Sequence, residues 1–79
     1  QAMSGYAVPR EFLRAGDLVF FAEPGAPEID HAGMYVGKGL FVNSTSSRGV
    51  VYSSLDNPWW SERFRKAVRL YFPARESID

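Results

Sequence analysis

The only histidine of the chain, His31, and an asparagine further along, Asn43, are the side chains whose types and spacing suit acid–base chemistry. An imidazole takes and returns protons near neutral pH. An amide that accepts a hydrogen bond from one ring nitrogen fixes the tautomer and leaves the other nitrogen to take a proton from a nucleophile. Whether the two meet depends on the Gly37-Lys38-Gly39 connection between them. A three-residue loop pairs Val36 with Leu40 and Gly33 with Asn43, which makes His31 the diagonal neighbour of Asn43 on one face, about 7–8 Å away across the hydrogens of Gly33. A two-residue loop sends them to opposite faces unless a bulge restores the phase, and glycines on both sides of Lys38 leave the choice open.

Half of a catalytic machine is all that these two residues supply. No cysteine is present, and the serines from Ser4 to Ser61 sit in no glycine-flanked elbow that would expose a hydroxyl as nucleophile. Glu23, Glu28, Asp30 and Asp56 lack ligand-type spacing, so neither a metal site nor a paired-carboxylate glycosidase is indicated, and no cofactor is expected. Asp30 is expected to point away from the ring of its neighbour, as adjacent strand residues do. Arg63, Arg65, Lys66 and Arg69 read as a solvated face, and Trp59 and Trp60 as core residues, one of which is free to line a groove. By itself, a lone histidine at a strand start is equally a polar residue at a sheet edge.

The elements that must position the pair are short. Residues 9–13 (PREFL) predict a helical turn with proline at its first position, residues 15–17 a turn, and 18–21 (LVFF) a strand. Residues 23–30 (EPGAPEID) form an exposed acidic loop, and alternation from His31, a glycine turn and renewed extended character to Asn43 make a hairpin. After a polar loop, 50–53 (VVYS) offers another strand. Asp56 and Asn57 before Pro58 start a short helix, and 67–72 alternates apolar and polar until Pro73 ends it. The expected class is α+β: a curved antiparallel sheet of four or five strands, barrel-like in tendency, with helical turns at Pro9 and Pro58.

At 79 residues there is room for one domain, whose core contributes only about 3–5 kcal/mol net. Without cysteine and with one histidine, neither disulfides nor a zinc site of nitrogen and sulfur ligands supplements it, so stability rests on the 46% hydrophobic and 15% aromatic content. Nine basic and nine acidic residues cancel, which disfavours nucleic acid and anionic membranes as partners, and no apolar run reaches the length of a membrane span.

Residues 16–21 (GDLVFF), 31–37 (HAGMYVG), 40–47 (LFVNSTSS) and 53–55 (SSL), with Trp60, Arg63 and Phe64, together resemble the NlpC family of papain-like bacterial cell-wall cysteine peptidases. The resemblance runs from about residue 9 to 70. It implies that His31 is the catalytic histidine, that Asn43 is the polar residue orienting it, and that the substrate is the peptide stem of peptidoglycan, cut through a thioester outside the cytoplasm. The family's cysteine opens a helix upstream of the GDLVFF-like strand. The chain departs from the pattern there, with residues 1–10 resembling the tail of a second helix, so 1–79 reads as the histidine-bearing C-terminal part of the domain. A sheet without its covering helix would expose apolar surface and take a second chain carrying that helix, or associate with itself. The rival reading is a noncatalytic module, SH3-like or a degenerate peptidase, that binds wall peptides through Tyr35, Phe41, Tyr52 and the tryptophans.

Overall fold

A computed structural model describes residues 4–71. In chain order it holds β1 (Ser4–Ala7), a 3-10 turn at Arg10–Phe12, β2 (Leu18–Phe21), β3 (His31–Gly37), β4 (Leu40–Thr45), β5 (Gly49–Ser54), helix α1 (Pro58–Arg63) and β6 (Phe64–Tyr71). The strands form one antiparallel sheet in the order β1-β6-β2-β3-β4-β5. The described residues are therefore mainly antiparallel sheet with one six-residue α-helix among them, and the sheet's edges, β1 and β5, do not pair to close a barrel.

The sheet has six strands where the sequence predicts four or five, because Ser4–Ala7 pairs with β6 instead of ending a helix. That strand carries little local signal. Gly5 lies against Leu70, where a β-carbon would come within 2.8 Å of Val68 Cγ1, so pairing with β6 decides its conformation rather than intrinsic preference. Residues 1–3 and Pro73, the expected end of the last strand, lie outside the described residues.

The two faces of the sheet differ. On the inner face Val19, Phe21 and Phe41 are almost completely buried, with Val8, Leu55 and Ala67 beside them and Leu13, Tyr35, Trp60 and Phe64 packed around. Helix α1 is started by Asn57, whose side chain accepts from the Trp59 amide, with Pro58 at the first position, and it lays Trp60 over this cluster. The outer face carries an apolar row drawn from all six strands: Ala7, Val68, Leu18, Met34, Val42 and Tyr52 are successive cross-strand partners. Met34 is 45% and Tyr52 71% exposed, so this row is uncovered among the described residues.

One ion pair ties the ends of the sheet's middle together. Asp17, 2% exposed, accepts from Arg69 Nε and Nη2, both at 2.8 Å, and from the Arg14 amide at 2.9 Å. The Arg69 hydrogen bond, reinforced by the Arg14 amide and by both positive charges, holds the Asp17 carboxyl below its usual range against the opposing effect of burial. The carbonyl of Asp17 also accepts from the Tyr35 amide, so the same residue anchors β3. Since the folded value lies below the unfolded one of about 4, the contribution is complete above that pH and disappears as pH falls through the folded value. Asp17→Ala should lower the urea midpoint at pH 7, by removing the acceptor that Arg69 and the Arg14 amide share. Asp17→Asn should flatten the loss of stability below pH ~4 that the parent protein shows.

Candidate active site

The β3–β4 hairpin closes with Gly37 opposite Leu40, which leaves Lys38-Gly39 as a two-residue loop with φ of 57° and 78°. The predicted Val36–Leu40 pair is therefore absent. A bulge between Tyr35 and Gly37 restores the phase, so that Tyr35 pairs with Phe41 and Gly33 with Asn43, the register expected from the sequence by the other route. Gly33 is sterically required there. A β-carbon on it would lie 2.7 Å from the Val42 carbonyl oxygen, 2.8 Å from the Phe41 ring and 3.3 Å from Asn43 Cβ.

Across that gap His31 Nε2 and Asn43 Oδ1 are 3.0 Å apart. The far side of the amide fixes which atom is which. Asn43 Nδ2 donates to Ser53 Oγ at 3.0 Å and to the Val51 carbonyl at 3.4 Å, and a carbonyl only accepts, so the oxygen is turned to the ring. The imidazole therefore carries its hydrogen on Nε2 and donates it to Asn43, which leaves Nδ1 as the nitrogen that can accept a proton. Asn43 is 5% exposed, and three partners offset the cost of burying its amide.

Aromatic rings confine the imidazole. Phe21 lies 5.9 Å from it and Trp60 5.1 Å, the latter tilted by only 31°. A cavity of about 350 Å³ opens beside the ring, with Trp59 and Trp60 on its apolar side and Asp30, Thr45 and Arg63 among its polar residues. Among the described residues no cluster of histidine and acidic side chains is arranged to hold a metal ion.

Several expectations are corrected here. Asp30 lies just before β3 and is, with His31, among the residues that line the cavity. Of the basic residues expected on a solvated face, Lys66 and Arg65 are exposed, whereas the three arginines also carry structural contacts. Arg69 holds Asp17, Arg63 stacks 3.8 Å over the Trp59 ring with only 15% of its side chain exposed, and Arg65, displaced by a bulge opposite Phe20 and Phe21, donates to the Glu23 and Ala26 carbonyls of the acidic loop. The aromatic groove of the rival reading is not assembled. Phe41 is buried, Tyr35 receives the Gly39 amide on its hydroxyl, and Tyr52 stands on the outer face. Sequence reasoning missed Ser53, Val51 and Trp60 as neighbours of the pair. Ser53 and Val51 follow from strand parity only once the β4–β5 register is known, with Thr45 opposite Gly49.

The family model described as the NlpC/P60 family matches residues 1–69. The chain belongs to the NlpC/P60 family. Among its relatives, a probable endopeptidase of Haemophilus influenzae is 40% identical over 89% of this chain and 44% of its own length. The murein DD-endopeptidase MepS/murein LD-carboxypeptidase of Escherichia coli K12 is 39% identical over 89% of this chain and 36% of its own. The peptidoglycan DL-endopeptidase CwlO of Bacillus licheniformis is 43% identical over 82% and 14% respectively. A crystal structure of an NlpC/P60 family protein from Bacillus cereus superposes with a TM-score of 0.76 at 38% identity, over 89% of this chain and 23% of that one. The chain thus spans less than half the length of these relatives. Among the described residues no helix is long and apolar enough to cross a membrane.

The geometry makes two substitutions informative. Gly33→Ala should force β3 and β4 apart at the site, costing about 1–3 kcal/mol and breaking the His31–Asn43 hydrogen bond, as measured by unfolding and by nitrogen-15 NMR of the imidazole. Ser53→Ala should cost about 1 kcal/mol and weaken the preference for hydrogen on Nε2, because Asn43 then keeps only its long contact to Val51.

Proposed function

We propose that this chain is the histidine-bearing part of a papain-like α+β cysteine peptidase domain that cleaves peptide stems of peptidoglycan, with His31 as general base and acid and Asn43 as its orienting residue. The observation that carries the reading is the orientation of the Asn43 amide. Held from behind by Ser53 and Val51, it ties up Nε2 and leaves Nδ1 as the proton acceptor of a ring that borders an open cavity. The relatives that act on murein and peptidoglycan support the substrate class, and with it a site of action outside the cytoplasm.

The chemistry needs a thiol that these 79 residues do not contain. A cysteine from elsewhere in the protein, or from a second chain, gives its proton to His31 Nδ1 and attacks the peptide carbonyl as thiolate. The imidazolium keeps its Nε2 hydrogen bond to Asn43 throughout and returns the proton from Nδ1 to the departing amine, leaving a thioester. Water then attacks the thioester while Nδ1 takes its proton, the carbon–sulfur bond breaks to release the carboxyl product, and the thiolate and imidazolium are restored as the resting pair. The uncovered outer row of the sheet is surface for a further segment of the protein, a second chain or another copy to bury.

On muropeptides, the intact protein should cleave in a manner abolished by thiol alkylation, and His31→Ala should lower cleavage by about 10²–10⁴-fold with little change in its unfolding midpoint. Cleavage that survives either treatment would contradict the reading. Binding of the same peptides without any cleavage would favour the noncatalytic alternative instead.

A further inference from the structure

The reaction as proposed needs the imidazole held in one plane, and a single hydrogen bond from Nε2 does not do that. Rotation about the bond joining ring to side chain swings Nδ1 away from its target and takes Nε2 out of line with Asn43 Oδ1, which weakens the hydrogen bond that sets the tautomer. Phe21 meets the ring at 51°, an oblique contact that limits the rotation on one side only. Trp60 comes closer and lies at a smaller tilt, its indole 5.1 Å from the imidazole with 31° between the planes. Trp60 is itself wedged, edge-on to Phe21 at 4.9 Å, to Phe41 at 5.1 Å and to Trp59 at 4.6 Å. A side chain fixed from three directions is a rigid wall rather than a neighbour that yields.

We infer that Trp60 is a positioning residue for His31, holding the imidazole plane so that Nε2 stays on Asn43 and Nδ1 faces the cavity. The inference deepens the peptidase reading and rests on it for its catalytic consequence, but its structural content is independent of any cleavage. It assigns the second tryptophan of α1 a task that core packing alone does not require. A branched aliphatic side chain at position 60 would fill apolar space against Phe21 and Phe41 yet present no flat surface to the ring. The helix is then explained as more than a connection between β5 and β6, since Asn57 and Pro58 start it where Trp60 reaches the imidazole.

The test is nitrogen-15 NMR of the imidazole in the intact protein, with the His31 signals assigned by their loss in His31→Gln, alongside muropeptide kinetics. Trp60→Leu should lower the ratio of Nε2–H to Nδ1–H tautomer by about three- to tenfold, the worth of one aromatic pair, and lower kcat by a similar factor with KM within about twofold. Trp60→Phe should restore most of both. Phe64→Leu, which trims the same aromatic cluster away from the imidazole, serves as the control for destabilisation and should leave the tautomer ratio unchanged. A Trp60→Leu protein with the parent tautomer ratio overturns the inference, as does an equal change in Phe64→Leu. A tautomer shift in a protein that cleaves nothing supports the positioning role and removes the peptidase reading alone.

Discussion

Side chains alternate along a strand, so one residue more or less between Tyr35 and Leu40 would send Asn43 to the opposite face of the sheet from His31. The bulge at Val36 is the constraint that prevents this. It compensates the odd step introduced by the two-residue Lys38-Gly39 loop, and everything chemical follows from the phase it restores. Gly33 then completes the arrangement by omission, because a β-carbon on it would run into the Val42 carbonyl and the Phe41 ring and crowd Asn43, which meets His31. Two glycines and a bulge thus define a site whose functional groups come from other residues.

The site is also continuous with the core. Phe21 and Phe41 are among the most buried side chains, and they pack against Trp60, which in turn faces His31. Apolar burial at this scale is worth about 1.5–3 kcal/mol per large side chain, so the cluster that stabilises a small sheet without disulfide or metal is the one that fixes the imidazole. Rigidity at the site is therefore obtained from packing that the fold already needs. Asp17 and Arg69 do the equivalent work with charge at the other end of β2, locking β2 to β6 and, through the Asp17 carbonyl, to β3.

Much of this was legible in the sequence because it is local. The apolar run 18–21, the hairpin glycines and the Asn57-Pro58 helix start each announce themselves within a few residues, and each is found where expected. The Gly33–Asn43 register was reached through the wrong loop and the right parity, which shows how little a turn's length decides when glycines flank it. What escaped is long-range. Strand β1 exists because β6 is there to pair with it, Arg65 and Arg69 bind partners over 30 residues away in the sequence, and Ser53 reaches Asn43 through a register set by a polar turn. Trp60 read as core, and it is packed as core. Its second face, against His31, depends on how α1 lies on the sheet, which no local pattern encodes.

The sheet commits Nε2 of His31 to Asn43 and, in the peptidase reading, reserves Nδ1 for a nucleophile. The decisive observation is a crystal structure of the intact protein alkylated by a small peptide-like thiol reagent. The account predicts the modified sulfur about 3.5 Å from Nδ1, at the mouth of the cavity, with the Nε2–Asn43 hydrogen bond intact. A sulfur placed against Nε2, or too far from the imidazole to exchange a proton with it, would contradict it.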